Sequence, residues 1–189
     1  ENGRDTIRAQ NGDDWIWAGA GNDKLNGGPG NDTLTGGLGK DTVVYFGASS
    51  GVTVDLAAGA GGGADQGSDT ITGVEHVMGS LFGDVLRGDA AGNRLKGLAG
   101  ADQLHGLGGV DTLIGAGGND TMHGGGGVDV LRGKAGVDRL FGGPGNDTIE
   151  GNTGDDSLDG GDGTDTLNGG AGTDTCVNGE TYVSCELPL

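Results

Sequence analysis

The sequence predicts an all-β fold, a parallel solenoid of stacked nine-residue units, and three observations carry that expectation. From Asp84 to Asp174 an aspartate returns at every ninth residue, with Asn93 the one exception. Two residues after each stands an aliphatic side chain, replaced at the last step by Cys176. Glycines crowd the positions before each aspartate and supply 48 of 189 residues, while aromatics make up only 4%, which starves a conventional two-layer core. A Gly-rich chain with a net charge of -18 has the composition of a disordered linker. The strict register argues against that, and the period of nine excludes the collagen repeat.

The first block, residues 1–44, holds a partial unit ending GRDTIR, then AQNGDDWIW, AGAGNDKLN, GGPGNDTLT and GGLGKDTVV. Asp5, Asp14, Asp23, Asp32 and Asp41 fall at the sixth position, and Ile7, Ile16, Leu25, Leu34 and Val43 at the eighth. Residues 45–78 break the register. They contain β-type runs, VTVDL (52–56) and ITGVEHVM (71–78), around the Gly-rich stretch AAGAGGGADQGS (57–68). This segment is expected to form irregular, wider coils with an exposed loop, and Asp69 with Ile71 keeps the Asp-x-apolar spacing inside it. The second block, residues 79–177, runs for eleven units without a slip; its weakest unit is GDAAGNRLK (88–96). Residues 178–189 leave the pattern and are expected to cap the stack, all within one continuous solenoid.

In each unit the apolar residue stands between two mostly polar ones, so a short strand points one side chain inward and its neighbours outward. The preceding glycines permit a tight turn with positive φ. Two units then complete a coil, and coils stack about 4.8 Å apart. The inward ladder includes Leu86, Leu95, Leu104, Leu113, Met122, Leu131, Leu140, Ile149, Leu158 and Leu167. Each buried side chain contributes about 1.5–3 kcal/mol. Ordering costs about 1–2 kcal/mol for every backbone residue. With nine residues ordered per apolar side chain, a further stabilising term is required.

Sixth-position residues 18 apart share an edge of the stack. Asp84, Asp102, Asp120, Asp138, Asp156 and Asp174 form one row, and Asn93, Asp111, Asp129, Asp147 and Asp165 the other. Such rows of like charge repel unless a cation lies between turns. A hard ion with six to eight oxygen ligands suits carboxylates and glycine carbonyls, which selects Ca²⁺ over Mg²⁺ or Zn²⁺. The expected ligands are Asp5, Asp14, Asp23, Asp32, Asp41, Asp69, Asp84, Asp102, Asp111, Asp120, Asp129, Asp138, Asp147, Asp156, Asp165 and Asp174, with turn carbonyls completing the shells. Adjacent pairs give on the order of a dozen Ca²⁺ sites at most. The Asn93/Asp111 pair, one charge short, is expected to bind weakly or to serve as an edge. A metal that binds only the folded stack couples folding to its concentration.

Segments such as GGGGVDVLR (124–132), GGPGNDTIE (142–150) and GGDGTDTLN (160–168) follow the template Gly-Gly-x-Gly-x-Asp-x-U-x, with U a bulky apolar residue. The chain resembles the RTX family, the hemolysin-type calcium-binding repeats of secreted bacterial proteins. The resemblance implies a parallel β-roll and a chain that stays unfolded at low cytosolic calcium and folds in external calcium. It also implies secretion and an upstream domain of a larger secreted protein as neighbour. An irregular coil before a GS-x-x-x-D unit, here GSLFGDVLR (79–87), is similar to that of many family members. The ending CELPL does not resemble the family's C-terminal export signal, so a different export route is expected.

Several features lie outside the repeat. Cys176 and Cys185 are expected to form a disulfide that folds the tail over the open end, the alternative being two free thiols. Trp15 and Trp17 flank inward Ile16 and face outward, which suits either local packing or a calcium-dependent adhesion or ligand-binding surface; the irregular coil is a second candidate for that surface. His105 and His123 share the ninth position one coil apart, without a third metal ligand. GASSG (47–51) matches a nucleophile-elbow pattern, but no predicted helix follows and no His or Asp partner is placed, so the match is read as accidental and the chain as a non-enzyme. The acidic balance argues against nucleic acid or anionic membrane as partners. No run of about 18 apolar residues occurs. The repeat already runs through Asp5 with no apolar leader before it, as expected of a mature form or an excised region.

Overall fold

The computed structural model describes residues 3–186. These form an all-β solenoid with no helix among the described residues, and outside the irregular segment successive strands alternate between two facing sheets. The first coils contribute β1 (Thr6–Arg8), β2 (Trp15–Ala20), β3 (Lys24–Asn26), β4 (Thr33–Leu38) and β5 (Thr42–Val44). The irregular segment contributes β6 (Thr53–Asp55), β7 (Ala60–Gly63), β8 (Gly67–Thr72) and β9 (His76–Met78). Regular coils resume with β10 (Val85–Arg87), β11 (Arg94–Ala99), β12 (Gln103–Gly108), β13 (Thr112–Gly117), β14 (Thr121–Gly126) and β15 (Val130–Ala135). They end in β16 (Arg139–Pro144), β17 (Thr148–Thr153), β18 (Ser157–Asp162), β19 (Thr166–Ala171), β20 (Thr175–Val177) and β21 (Thr181–Val183).

Pairing between regular coils is parallel with a register of 18, as in Leu86 opposite Leu104 and Leu95 opposite Leu113. The eighth-position side chains from Leu86 to Cys176 are fully buried and form a two-column core. Ile7, on the first strand, is only partly buried.

The strands are longer than the three residues expected. In β12 and β14 the pairing continues past His105/His123 to Leu107 opposite Gly125 and Gly108 opposite Gly126. In the units from residue 97 onward the chain bends at the second position, which takes a positive φ whether or not it is glycine: Leu98, Leu107, Ala116, Lys134 and Asn152 lie between +79° and +95°. Fourth-position glycines also take a positive φ and meet a second constraint. A Cβ on Gly145 would overlap the Gly127 carbonyl of the coil below.

The irregular segment widens one sheet. Between β4 and β10 stand three strands, β8, β7 and β6, whereas the other sheet has only β9 between β5 and β11. The pairs β6·β7 and β7·β8 are antiparallel, unlike the parallel stack around them. The Gly-rich stretch expected as an exposed loop therefore carries a strand at its centre. Gly61 lies beside the buried ring of Tyr45, and a Cβ there would meet the Tyr45 hydroxyl. The tail closes the far end with β21 against β19, tied by the disulfide between Cys176 and Cys185.

Candidate metal centre

The sixth-position aspartates stand at the two edges where the chain crosses between sheets. From Asp23 to Asp174 they are buried side chains in an otherwise exposed acidic surface. One oxygen of each has a protein partner. The backbone N–H of Asp84 donates to Asp102 Oδ1 at 2.8 Å, that of Asp102 to Asp120 at 2.9 Å, and that of Asp120 to Asp138 at 2.8 Å. The same bond joins Asp111 to Asp129, Asp129 to Asp147, and Asp147 to Asp165 on the other edge. Each carboxylate thus ties its coil to the one before it.

The second oxygen is the chemical anomaly. In Asp5, Asp23, Asp32, Asp41, Asp102, Asp111, Asp120, Asp129, Asp138, Asp147, Asp156, Asp165 and Asp174, Oδ2 is buried without any hydrogen-bond partner. A lone buried acceptor costs about 1–3 kcal/mol, more when charged, so this arrangement needs a positive ligand. At several of these positions a second oxygen stands beside Oδ2. A Cβ built on Gly124 would lie 2.6 Å from Asp129 Oδ2 and 2.7 Å from the Gly142 carbonyl oxygen. A similar pairing of carboxylate and next-coil carbonyl recurs at Gly106, Gly133, Gly142 and Gly151. Among the described residues no three His, Cys, Asp or Glu side chains converge on one point. Carbonyl oxygens must therefore supply much of any shell, which fits a hard oxygen-seeking cation such as Ca²⁺ and excludes a side-chain zinc cluster.

Without a cation, burial makes several of these carboxylates harder to ionise. Burial pushes Asp102 up to about 7 against the opposing hydrogen bond from Asp84, with the charges of Asp120 and Asp84 adding to the rise. Burial likewise raises Asp111, Asp138, Asp147 and Asp156 to about 6.

Three of the sixteen expected ligands differ from the rest. Asp14 is only partly buried at the start of its row and gives its N–H to Asp32. Asp69 accepts a 2.6 Å bond on Oδ2 from the buried Tyr45 hydroxyl. Asp84 has both oxygens engaged by the Ser80 side chain and N–H and by Val52 N–H. Asn93, expected as a weak point, is likewise saturated: its Oδ1 accepts from Asp89 N–H and its Nδ2 donates to the Glu75 carbonyl.

Other members of the two rows were not foreseen. Glu75 Oε2 accepts from Asp41 N–H, Glu180 from Asp165 and Glu186 from Asp174, so glutamates complete the rows where the nine-residue register fails. A second, exposed ladder runs beside the first at the fifth position. There Oδ1 of Asp13, Asn22, Asn31, Asn119, Asn146 and Asp155 accepts an N–H from the next coil at 2.8–3.0 Å. The recurrent Gly-Asn-Asp triplet was its sequence signal.

Away from the edges, His105 and His123 stack face to face at 5.1 Å, and His123 on Phe141 at 4.6 Å. Ser49 and Ser50 of GASSG are held by Asp65, through the Ser49 N–H and the Ser50 hydroxyl. No described helix is long and apolar enough to cross a membrane.

A family model for the RTX calcium-binding nonapeptide repeat, in four copies, matches residues 1–34, 20–44, 78–113, 105–140 and 141–176. No curated protein matches the chain.

Proposed function

The chain belongs to the RTX calcium-binding nonapeptide repeat family, and from that membership we propose a secreted module that folds and becomes rigid in external calcium. It would support the folding or display of a larger secreted or surface protein. Repeats of this family imply calcium binding. The observation that carries the reading is the set of thirteen buried, partnerless Oδ2 atoms. We assign those thirteen aspartates as ligands together with turn carbonyls of the following coil. Bound Ca²⁺ supplies the positive charge that both rows lack and bridges successive turns.

The assignment divides the sites into two groups, Asp5 to Asp41 and Asp102 to Asp174. Between them Asp69 and Asp84 have protein donors in place of a metal. An ion count below the sequence-derived dozen follows, since those two carboxylates and Asn93 are already satisfied. Secretion draws support from the disulfide, which persists in oxidising surroundings.

Far-UV circular dichroism during a calcium titration tests the proposal. The chain is expected to be disordered in chelator at pH 7.5 and β-structured with millimolar Ca²⁺, with Mg²⁺ far less effective. Full β structure in excess chelator at that pH would overturn it.

A second reading, a calcium-dependent adhesion surface, has its own observation. Trp15 and Trp17 are 83% and 76% exposed. They stand in register with Thr33 and Thr35, and through these with Thr70 and Thr72. Glycan or cell binding that survives Trp15→Ala and Trp17→Ala together would remove this version.

A further inference from the structure

The chain has ten Lys and Arg against 28 Asp and Glu, yet half of the cations line one groove. Arg4, Lys24, Lys40, Arg94 and Lys96 meet there with His76, around a space of about 460 Å³, and no carboxylate lines it. The groove lies on the outward face of the sheet containing β3, β5, β9 and β11. Lys24, Thr42, His76 and Arg94 occupy successive strands in one row, with Met78 and Lys96 in the next. Lys24 and Arg94 are therefore three strand spacings apart, about 14 Å.

These cations are not spent on ion pairs. Among the described residues the ion pairs are Arg87–Asp55 and Arg132–Glu150, both elsewhere. Five like charges gathered in one groove repel one another, and a bound anion would offset that repulsion. Burial lowers the His76 imidazole pKa, the charges of Lys40 and Arg94 add to that, and the neighbouring Glu75 opposes it through its backbone and its charge. His76 Nδ1 accepts the Arg94 N–H at 3.1 Å, which leaves its Nε2–H as a donor. Asn22 and Thr42 place further polar groups between the cations.

We propose that this groove binds a sulfated or phosphorylated oligosaccharide carrying at least two anionic groups. Sulfate and phosphate esters keep their charge outside the cell and match the fork of Arg94 and the point charges of the lysines. The hydroxyl, amide and imidazole groups between them suit the hydroxyls of a sugar backbone. A small ligand is favoured over an extended anionic surface, because only the groove is basic and the rest of a chain of net charge -18 would repel a membrane or duplex.

The test is calorimetric titration of the calcium-loaded chain with a sulfated tetrasaccharide and with its desulfated counterpart. Binding of the sulfated form alone, weakening as salt rises, is expected. The triple variant Lys24→Ala/Arg94→Ala/Lys96→Ala should weaken it at least tenfold, while Arg132→Ala/Arg139→Ala leaves it unchanged. Circular dichroism checks that each variant folds with calcium, and Lys24→Gln/Lys96→Gln, which keeps the outward stems, should still weaken binding severalfold. No binding, equal binding of the desulfated sugar, or an unchanged affinity in folded groove variants would overturn the proposal. The last result would place the sugar on the metal-bearing edges instead.

Discussion

At the residue scale, Asp69 receives a side-chain hydroxyl hydrogen bond on the oxygen that thirteen other aspartates leave without a partner. Burial and Asp69 both raise the Tyr45 phenol, so it stays protonated and donates to Asp69. Tyr45→Phe removes that donor and strands a carboxylate oxygen in the same condition as its repeat counterparts. We expect a loss of about 1–3 kcal/mol in denaturant unfolding at saturating calcium. Lys134 is a second informative position, since φ there is +85°, in a region that an L side chain adopts at a cost of about 1–2 kcal/mol. Lys134→Gly should therefore raise stability, by about 0.5–1 kcal/mol once glycine's larger unfolded entropy is deducted. The same unfolding curves measure it. Neither position was legible beforehand. Tyr45 lies outside the register, and glycine at the second position of many units concealed that others there bend equally.

At the scale of elements, the end of the stack depends on three contacts brought by the tail. Glu180 and Glu186 terminate the two carboxylate rows, and the disulfide fixes Cys185 against the buried rung of Cys176. Cys185→Ser opens a short loop and should cost about 2–3 kcal/mol of local stability. Hydrogen exchange should then show lost protection in β20 and β21 with β12 to β16 unchanged, because coils in such stacks contact only their neighbours. Uniform loss of protection would mean that the end cap supports the whole stack. The cysteine pair could be anticipated from the inward slot of Cys176 together with the tendency of paired cysteines in extracellular chains to oxidise. The two glutamates could not: they lie 15 and 12 residues beyond their partners, off the spacing of 18 that identifies every regular contact.

At the scale of the whole molecule, the proposed ligand assignment sets protons and calcium in competition for the same oxygens. Folded Asp102 is raised to about 7 and Asp111, Asp138, Asp147 and Asp156 to about 6, against an ordinary value of 3.8. Between those limits the metal-free folded chain binds more protons than the unfolded one, so its stability falls as pH rises from about 4 to 7 and recovers on acidification. Circular dichroism in chelator should show β structure growing as pH is lowered from 7.5 to 4.5, while the calcium midpoint moves to higher concentration. No gain of structure at pH 4.5 would contradict the raised carboxylates. The nine-residue period made the coil, both edges and the inward ladder legible, because each regular unit repeats one solution. The three-strand widening was not, since β6, β7 and β8 depend on pairings that no local spacing encodes.

That widening also sets how a disturbance travels. Along most of one edge every carboxylate leans on the next coil, so a site emptied at one level unsettles its neighbours. Asp69 and Asp84, each satisfied by its own hydroxyl donor and separated by two inserted strands, interrupt that succession. A disturbance in the longer second stack is therefore expected to reach the first mainly through the other sheet, where β9 alone joins β5 to β11.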